Sequence, residues 1–326
     1  MGASIRCRTN YSYPSLEFLS MDFSAEQLRT FKTVLEAGTL ERAARQLNVT
    51  ASAVSQRLKA LEKQVGSVLF IRSRPIKPTS SGDVLLRLAR ETELLSAEAR
   101  RQLRMSQDES LSLPPSRVSV AVNSDSLASW FTPVLHGLAK QDLIACEILR
   151  HDEAHSTELL RSGQVMGVVT TKSTPVQGCS SVPLGAMTYR AMASADFIRK
   201  WLPGIDPINE LAAAPMVNFD KNDDLQLSMR RTLPGDAGQS APVEHFVPDS
   251  RQYVAAVAAS LGWGMIPEIQ DPKDGSLLPV NPEWESRVQL YWQRWKIPSR
   301  ALDTLTDLVV AAAGNAGLMA QRNSDQ

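Results

Sequence analysis

The sequence predicts an α/β protein whose N-terminal end is all-helical, and three observations carry that prediction. Leu40, Ala43, Ala44 and Leu47, then Val54, Leu58, Leu61 and Val65, form two short helical stripes separated by the turn Asn48-Val49-Thr50. Leu85, Leu88, Thr92, Leu95 and Ala99 fall at alternating three- and four-residue steps, as in a coiled-coil seam. From Arg117 onward, short apolar runs of strand type alternate with helical faces. The expected architecture is a winged helix-turn-helix at residues 21–80, a long linker helix and hinge at 81–116, and a two-lobed α/β body at 117–322.

A chain of 326 residues is long enough for two or three domains with sizeable cores. No window approaches the ~18–20 apolar residues of a membrane span, and the first twenty residues lack the apolar stretch of a secretory signal. Residues 1–20 are expected to be a disordered extension, with Met21 as an alternative start. Cys7, Cys146 and Cys179 are odd in number and widely spaced, which argues against a disulfide framework and for a reducing cytoplasm. Formal charge is zero overall but unevenly spread. Residues 21–80 hold ten Lys/Arg against five Asp/Glu, a net +5, residues 1–20 add +1, and the remaining 246 residues sum to −6. A basic end on an acidic body fits one end that faces phosphate and another that does not.

Within the basic end, Leu28, Phe31, Val34 and Leu35 mark a first helix from about Ser24 to Ala37. Gly38 ends it, Thr39 is placed to cap the second helix, and Gly66 closes the third. The outer face of that third helix carries Ser52, Ser55, Gln56, Arg57 and Lys59, all able to bond a base edge or a phosphate. Val68-Leu-Phe-Ile71 reads as a short strand, followed by Arg72, Arg74 and Lys77 among Pro75 and Pro78, which suits a ribbon edge lying along a phosphate backbone. The candidate DNA-contacting residues are Thr39, Thr50, Ser52, Ser55, Gln56, Arg57, Lys59, Arg72 and Arg74. An ordinary helical pair with a solvated charged edge is the plainer alternative.

The stretch Gln27–Thr79 resembles the DNA-binding domain of the LysR-type transcriptional regulators. The resemblance is carried by Ala-Ala-Arg-Gln-Leu-Asn-Val-Thr50, Ser52-Ala-Val-Ser-Gln-Arg57, Leu61-Glu62, and Leu-Phe-Ile-Arg72 with the following Pro-Thr79. Ala51 departs from it, standing where many members have Gln or Pro, so Ser52, Ser55 and Arg57 are expected to carry more of the readout. Thr79-Ser-Ser-Gly82 reads as the start of the linker helix. A seam buried on the chain's own body is one explanation for that helix. The resemblance implies the other, a dimerisation helix that sets two recognition helices on two half-sites.

In the body, Arg117–Val122, Cys146–Arg150 and Met166–Val169 read as strands, with one helical face from Leu127 to Leu138 that Pro133 should bend. A second set begins near Leu184 and includes Pro215–Asn218, Val243–Val247, a helix over Arg251–Leu261, and Gly264–Pro267. Residues 287–296 form a return strand, and a helix over Ala301–Ala313 closes the chain. Lobe I is expected at about 117–183 and 288–322, and lobe II at about 184–287. The resemblance implies the periplasmic-binding-protein-like effector domain of the family, with its ligand between the lobes. Ala121–Trp130, Asp152–His155, Gly163–Thr170, Asp224-Leu-Gln226, Leu261–Gly264 and Tyr291–Trp295 are similar to the LysG/ArgP branch. That similarity implies a basic amino acid as effector, L-lysine or L-arginine, and control of an amino-acid exporter gene as activator.

The residues alone point to a cleft with hydroxyl and acidic groups. Asn123, Ser124 and Ser126 at a helix start, with Thr170 and Thr171 at a strand end, suit an α-carboxylate. Asp125, Asp152, Glu153, Asp220, Asp223 and Asp224 are the candidate partners for an ammonium or guanidinium, about two of the six being expected to serve and the rest to cap helices or stay solvated. His151 and His155 lack the glutamate placement of a zinc helix, Gly262-Trp-Gly264 lacks a third glycine, and no nucleophile–base set is evident. Neither an enzyme, a metal nor a cofactor is expected, and no membrane. The expected partners are a double-stranded, pseudo-palindromic DNA operator, the effector, RNA polymerase, and further copies of the chain as homodimer or homotetramer. Rival readings are a solute-binding protein, and a regulator answering to histidine or an aromatic compound.

Overall fold

The computed structural model describes residues 22–105, 115–142, 144–151, 156–204, 207–221, 224–233, 243–281 and 283–318. They form two compact units, one ending at Thr92 and the other beginning at Glu93.

The first unit contains α1 (Ala25–Ala37), α2 (Leu40–Leu47), α3 (Ala51–Val65), the antiparallel ribbon β1 (Phe70–Ile71) and β2 (Lys77–Pro78), and the start of α4 (Ser80–Met105). Each helix begins where a side chain satisfies an otherwise orphaned N–H, which typically contributes ~1 kcal/mol. Ser24 and Gln27 cap each other at α1, Thr39 accepts from Arg42 N–H at 3.3 Å, and Thr50 accepts from Ala53 N–H at 3.1 Å. Gly38 and Asn48 then turn the chain through left-handed backbone (φ 72° and 54°), which a glycine or asparagine tolerates best. The core joins Leu28, Phe31 and Val34 of α1 to Ala43 and Ala44 of α2 and to Val54, Leu58 and Leu61 of α3. Leu69, and Leu85, Leu86 and Ala89 of α4, complete it.

That packing corrects the seam expected on α4. Leu85 faces the core, while Val84 (72% exposed), Leu88, Leu95 and Leu103 (68%) stand outside it, with Ala99 also exposed and Thr92 half-buried. Val84 and Leu85 are neighbours on adjoining faces, and spacing alone does not say which of them the core takes.

The second unit opens with β3 (Ser116–Val122), α5 (Ser124–Ala128), α6 (Thr132–Leu138), β4 (Ile144–Arg150), α7 (Ser156–Arg161) and β5 (Gly167–Thr170). Strands β3, β4 and β5 are parallel, and this is lobe I. The long strand β6 (Cys179–Ala193) leads out of it to α8 (Ala195–Trp201), α9 (Pro207–Ala213), β7 (Met216–Asn218), α10 (Asp224–Arg231), β8 (Glu244–Phe246), α11 (Ser250–Ala258) and β9 (Gly264–Pro267). A 3-10 turn over Glu268–Gln270, β10 (Leu278–Pro279), the returning β11 (Glu285–Trp295) and α12 (Arg300–Asn315) finish the fold. The sheet runs β10-β6-β11-β5-β3-β4, and β9 pairs antiparallel with β6 off this path. Strands β6 and β11 pair antiparallel from Cys179–Trp295 to Arg190–Glu285, so one ribbon serves both lobes.

Two elements differ from expectation. The single helix from Leu127 to Leu138 is two, because Ser129 leaves helical backbone (φ −127°, ψ −99°) and Pro133 lies in the first turn of α6, where a missing N–H costs nothing. Strand β6 was not foreseen, since Pro183 and Gly185 interrupt its pattern and its register slips against β11 between Leu290 and Tyr291. Trp130, Trp263, Trp292 and Trp295 are all core residues, each no more than 2% exposed.

Candidate DNA-reading face and effector cleft

On α3, Ser52, Gln56 and Lys59 are exposed and share one helical face, with Ser55 half-buried beside them. Arg72 and Arg74, with Lys77, are exposed on the wing. These eight hydroxyl, amide and cationic side chains, counting Thr50 at the N-cap of α3, include four cations and no carboxylate. The hydroxyls of Thr39 and Thr50 already accept cap hydrogen bonds but retain their own protons to donate. Arg57 departs from the expected arrangement. It turns to the flank of α3, where its Nη2 lies 2.7 Å from Glu26 Oε1 at the start of α1.

In the second unit, the carboxyl ends of β3, β4 and β5 converge on one edge of lobe I, the place where parallel sheets bind ligands. Asn123, buried, N-caps α5 there without a side-chain cap bond, and His151 N–H bonds Val122 O at 3.2 Å. Asp125 follows on α5, half-buried, and its carboxylate reaches lobe II and the shared ribbon. Ser250 Oγ, at the start of α11, donates to Asp125 Oδ1 at 2.6 Å, and Tyr189 on β6 donates to Oδ2 at 2.9 Å. The Gln270 amide donates to Asp125 O at 3.2 Å and Oδ1 at 3.4 Å. Arg150, ending β4, donates to Pro248 O at 3.3 Å and adds a second bridge between the lobes. Every side-chain donor to Asp125 is neutral, and none of the ion pairs among the described residues involves it. Among the described residues, the cleft therefore holds a half-buried carboxylate that hydrogen bonds orient and that pairs with no cation, a setting that favours an incoming ammonium or guanidinium.

The other expected cleft residues are distributed unevenly. Ser124 and Thr171 are half-buried at the lobe I edge. Ser126 is fully buried with its hydroxyl against Met187 sulfur (3.9 Å), so it turns into the core rather than toward a ligand. Thr170 is buried and accepts from Ser156 Oγ at 3.1 Å and Lys172 N–H at 3.3 Å. Asp220 is half-buried after β7, whereas Asp224 is exposed in the first turn of α10, a helix-start position. Asp152, Glu153 and Asp223 lie outside the described residues. Sequence reasoning missed Tyr189, Ser250 and Gln270. The only local hint was Asp249-Ser250, the N-cap and first turn of α11. It also missed Asn218, buried at the carboxyl end of β7, whose side-chain oxygen accepts no hydrogen bond among the described residues.

A winged helix-turn-helix on the same chain as a two-lobed α/β binding body defines a DNA-binding regulator with a small-molecule input. The chain belongs to the LysR family. Residues 25–83 match the bacterial regulatory helix-turn-helix protein, lysR family, and residues 112–314 match the LysR substrate binding domain. It is 40% identical over 295 residues to the HTH-type transcriptional regulator LysG of Mycobacterium tuberculosis, across 88% of this chain and 92% of that one. Identity to the lysine export transcriptional regulatory protein LysG of Corynebacterium glutamicum is 37% over 291 residues, across 88% and 97% of the two chains. The structure of full-length LysG from Corynebacterium glutamicum with bound effector Arg matches with a TM-score of 0.72 at 36% identity, covering 90% of this chain and 99% of that one. The fold expected from the sequence is the fold of these regulators. No described helix is long and apolar enough to cross a membrane.

Proposed function

We propose that this LysR-family regulator senses L-lysine or L-arginine in the cytoplasm and activates transcription of an amino-acid exporter gene. The observation that carries the effector assignment is Asp125, a carboxylate between the lobes ringed, among the described residues, by Ser250, Tyr189 and Gln270 and by no cation. A basic amino acid supplies the missing charge, and its α-carboxylate suits the polar edge formed by Asn123, Ser124 and Thr171. The relatives named for lysine export and bound to arginine support the same choice. Domains are taken as 21–80, 81–116 and 117–322, as the sequence suggests. Two copies pair through the exposed apolar residues of α4 and present two reading faces to a pseudo-palindromic operator, and this homodimer, or a homotetramer made of two such dimers, engages RNA polymerase. Effector binding shifts the balance between lobe arrangements, and so changes how the paired reading faces meet DNA.

The test is isothermal titration of the full chain with L-arginine and L-lysine beside their uncharged analogues L-citrulline and L-norleucine. Arginine or lysine is expected to bind and the uncharged analogues to bind at least tenfold more weakly. Asp125→Asn should abolish that preference while leaving DNA affinity intact. Equal binding of charged and uncharged analogues, or no binding of any basic amino acid, would sink the effector assignment.

A further inference from the structure

Arg57 sits off the face that meets DNA. Successive residues lie about 100° apart around a helix, so Arg57 is turned roughly a quarter circle from Gln56, toward α1. There it is 33% exposed and pairs at 2.7 Å with Glu26, itself 68% exposed. An acid in the first turn of α1 is favourable beside the helix N-terminus, which accounts for a carboxylate at that position but not for a guanidinium from another helix meeting it. So open a pair is weak in water, and a duplex presents one phosphate per ~1.7 Å of its axis. A phosphate that comes within reach can therefore displace Glu26. Until one does, Arg57 contributes no net charge to the module's attraction for DNA, although it is one of only three cations on α3, with Lys59 and Lys63.

We propose that Glu26 is a positioning residue that limits the DNA affinity of the module by occupying Arg57. On an arbitrary duplex the guanidinium stays on Glu26. At a sequence where Ser52, Ser55, Gln56 and Lys59 seat fully against the base edges, the backbone comes close enough to take Arg57 over. The tight complex must give up the whole Glu26–Arg57 pair, whereas the loose one forgoes only a phosphate contact weaker than that pair, so Glu26 lowers tight binding at least as much as loose binding, and it does so from outside the recognition helix. The inference rests on the Ser52–Lys59 face being the reading face.

The test compares full-length wild type, Glu26→Gln, Arg57→Ala and the double variant on two probes. One is a random-sequence 40-bp duplex, and the other is the set of duplexes that the wild type enriches from a random library. Glu26→Gln is expected to tighten binding to the enriched duplexes about three- to tenfold without changing their plot of log K against log salt, because Arg57 meets a phosphate there already. Binding to the random duplex should tighten no more than that while its salt plot steepens by roughly 0.9, the slope of one more phosphate contact, and the thermal midpoint should hold. In the Arg57→Ala background Glu26→Gln should do nothing. A larger gain on the random duplex than on the enriched ones, the same effect without Arg57, or no effect on the enriched duplexes overturns the role of Glu26 while leaving the reading face in place. A library that yields no enriched duplex overturns the reading face and this role together.

Discussion

The left-handed backbone of Gly38 (φ 72°) already favours glycine, and a Cβ there would stand 3.0 Å from Pro75 Cβ on the wing. Ile76 N–H also bonds Gly38 O at 3.0 Å, so the turn between α1 and α2 holds the wing in place. Gly66 has the same φ of 72° but nothing within 4 Å of the position its Cβ would take. Gly38→Ala should therefore cost about 1–3 kcal/mol, backbone strain and crowding together, and Gly66→Ala closer to 1 kcal/mol. Urea unfolding followed on the N-terminal unit tests the order, and equal losses would mean that the wing contact contributes nothing. At Cys146, burial first and the Glu147 charge second push the thiol up to about 11. A pKa raised from 9.0 leaves the folded protein with roughly a hundredfold less thiolate at pH 8 than the unfolded chain. Iodoacetamide should label Cys146 slowly at pH 8 and faster as pH climbs toward 11. Labelling as fast as in urea would show that burial does not protect it.

Helix α4 illustrates what spacing can and cannot decide. Its length and start were legible, because Thr79 Oγ1 caps it by accepting from Gly82 N–H at 3.1 Å while donating to Val68 O at 2.7 Å. Its outer face was not, because Val84 and Leu85 are equally apolar and only the packed core takes one of them. With Val84, Leu88, Leu95 and Leu103 left outside, the proposed pairing through α4 predicts that Leu88→Lys with Leu95→Lys leaves the chain monomeric while the fold persists. Analytical ultracentrifugation with circular dichroism reads both quantities, and an unchanged mass would exclude α4 as the pairing helix. The same contrast runs through the other elements. Helices α1 to α3 were readable because Ser24, Thr39 and Thr50 cap them locally and Gly38 and Gly66 end them. Strand β6 was not, because its partners on β11 are about a hundred residues away and Pro183 and Gly185 mask its alternation. Asp125 could be picked out by its place at a helix start. Its partners Tyr189, Ser250 and Gln270 could not, since separations of 64, 125 and 145 residues leave no local trace.

Each of the two units carries its own apolar core. The smaller unit's is built on Phe31, Val34 and Leu61, and the larger unit's on Val120, Val168, Trp292 and Leu305 with a second cluster of Val217, Tyr253, Val257 and Ile266 in lobe II. On the proposed function each also has its own ligand, and the charge is divided to match, net +5 over residues 21–80 and −6 beyond residue 80. Separate cores should melt separately, so calorimetry of the full chain is expected to show two transitions rather than one. A ligand that binds only one native unit stabilises that unit alone, by about 2.7 kcal/mol at a hundred times its Kd. L-Arginine or L-lysine should therefore raise the transition of the larger unit by roughly 5–10 °C, given about 2–4 °C per kcal/mol for a domain of that size. Duplex DNA should raise only the smaller unit's transition. The DNA effect should fade between 50 and 200 mM salt, because it depends on counterion release, whereas a charge pair in the cleft is screened less. One transition moved by both ligands would show that the cores are energetically one, and that an effector held at Asp125 reaches the reading face through shared stability rather than through a change in arrangement.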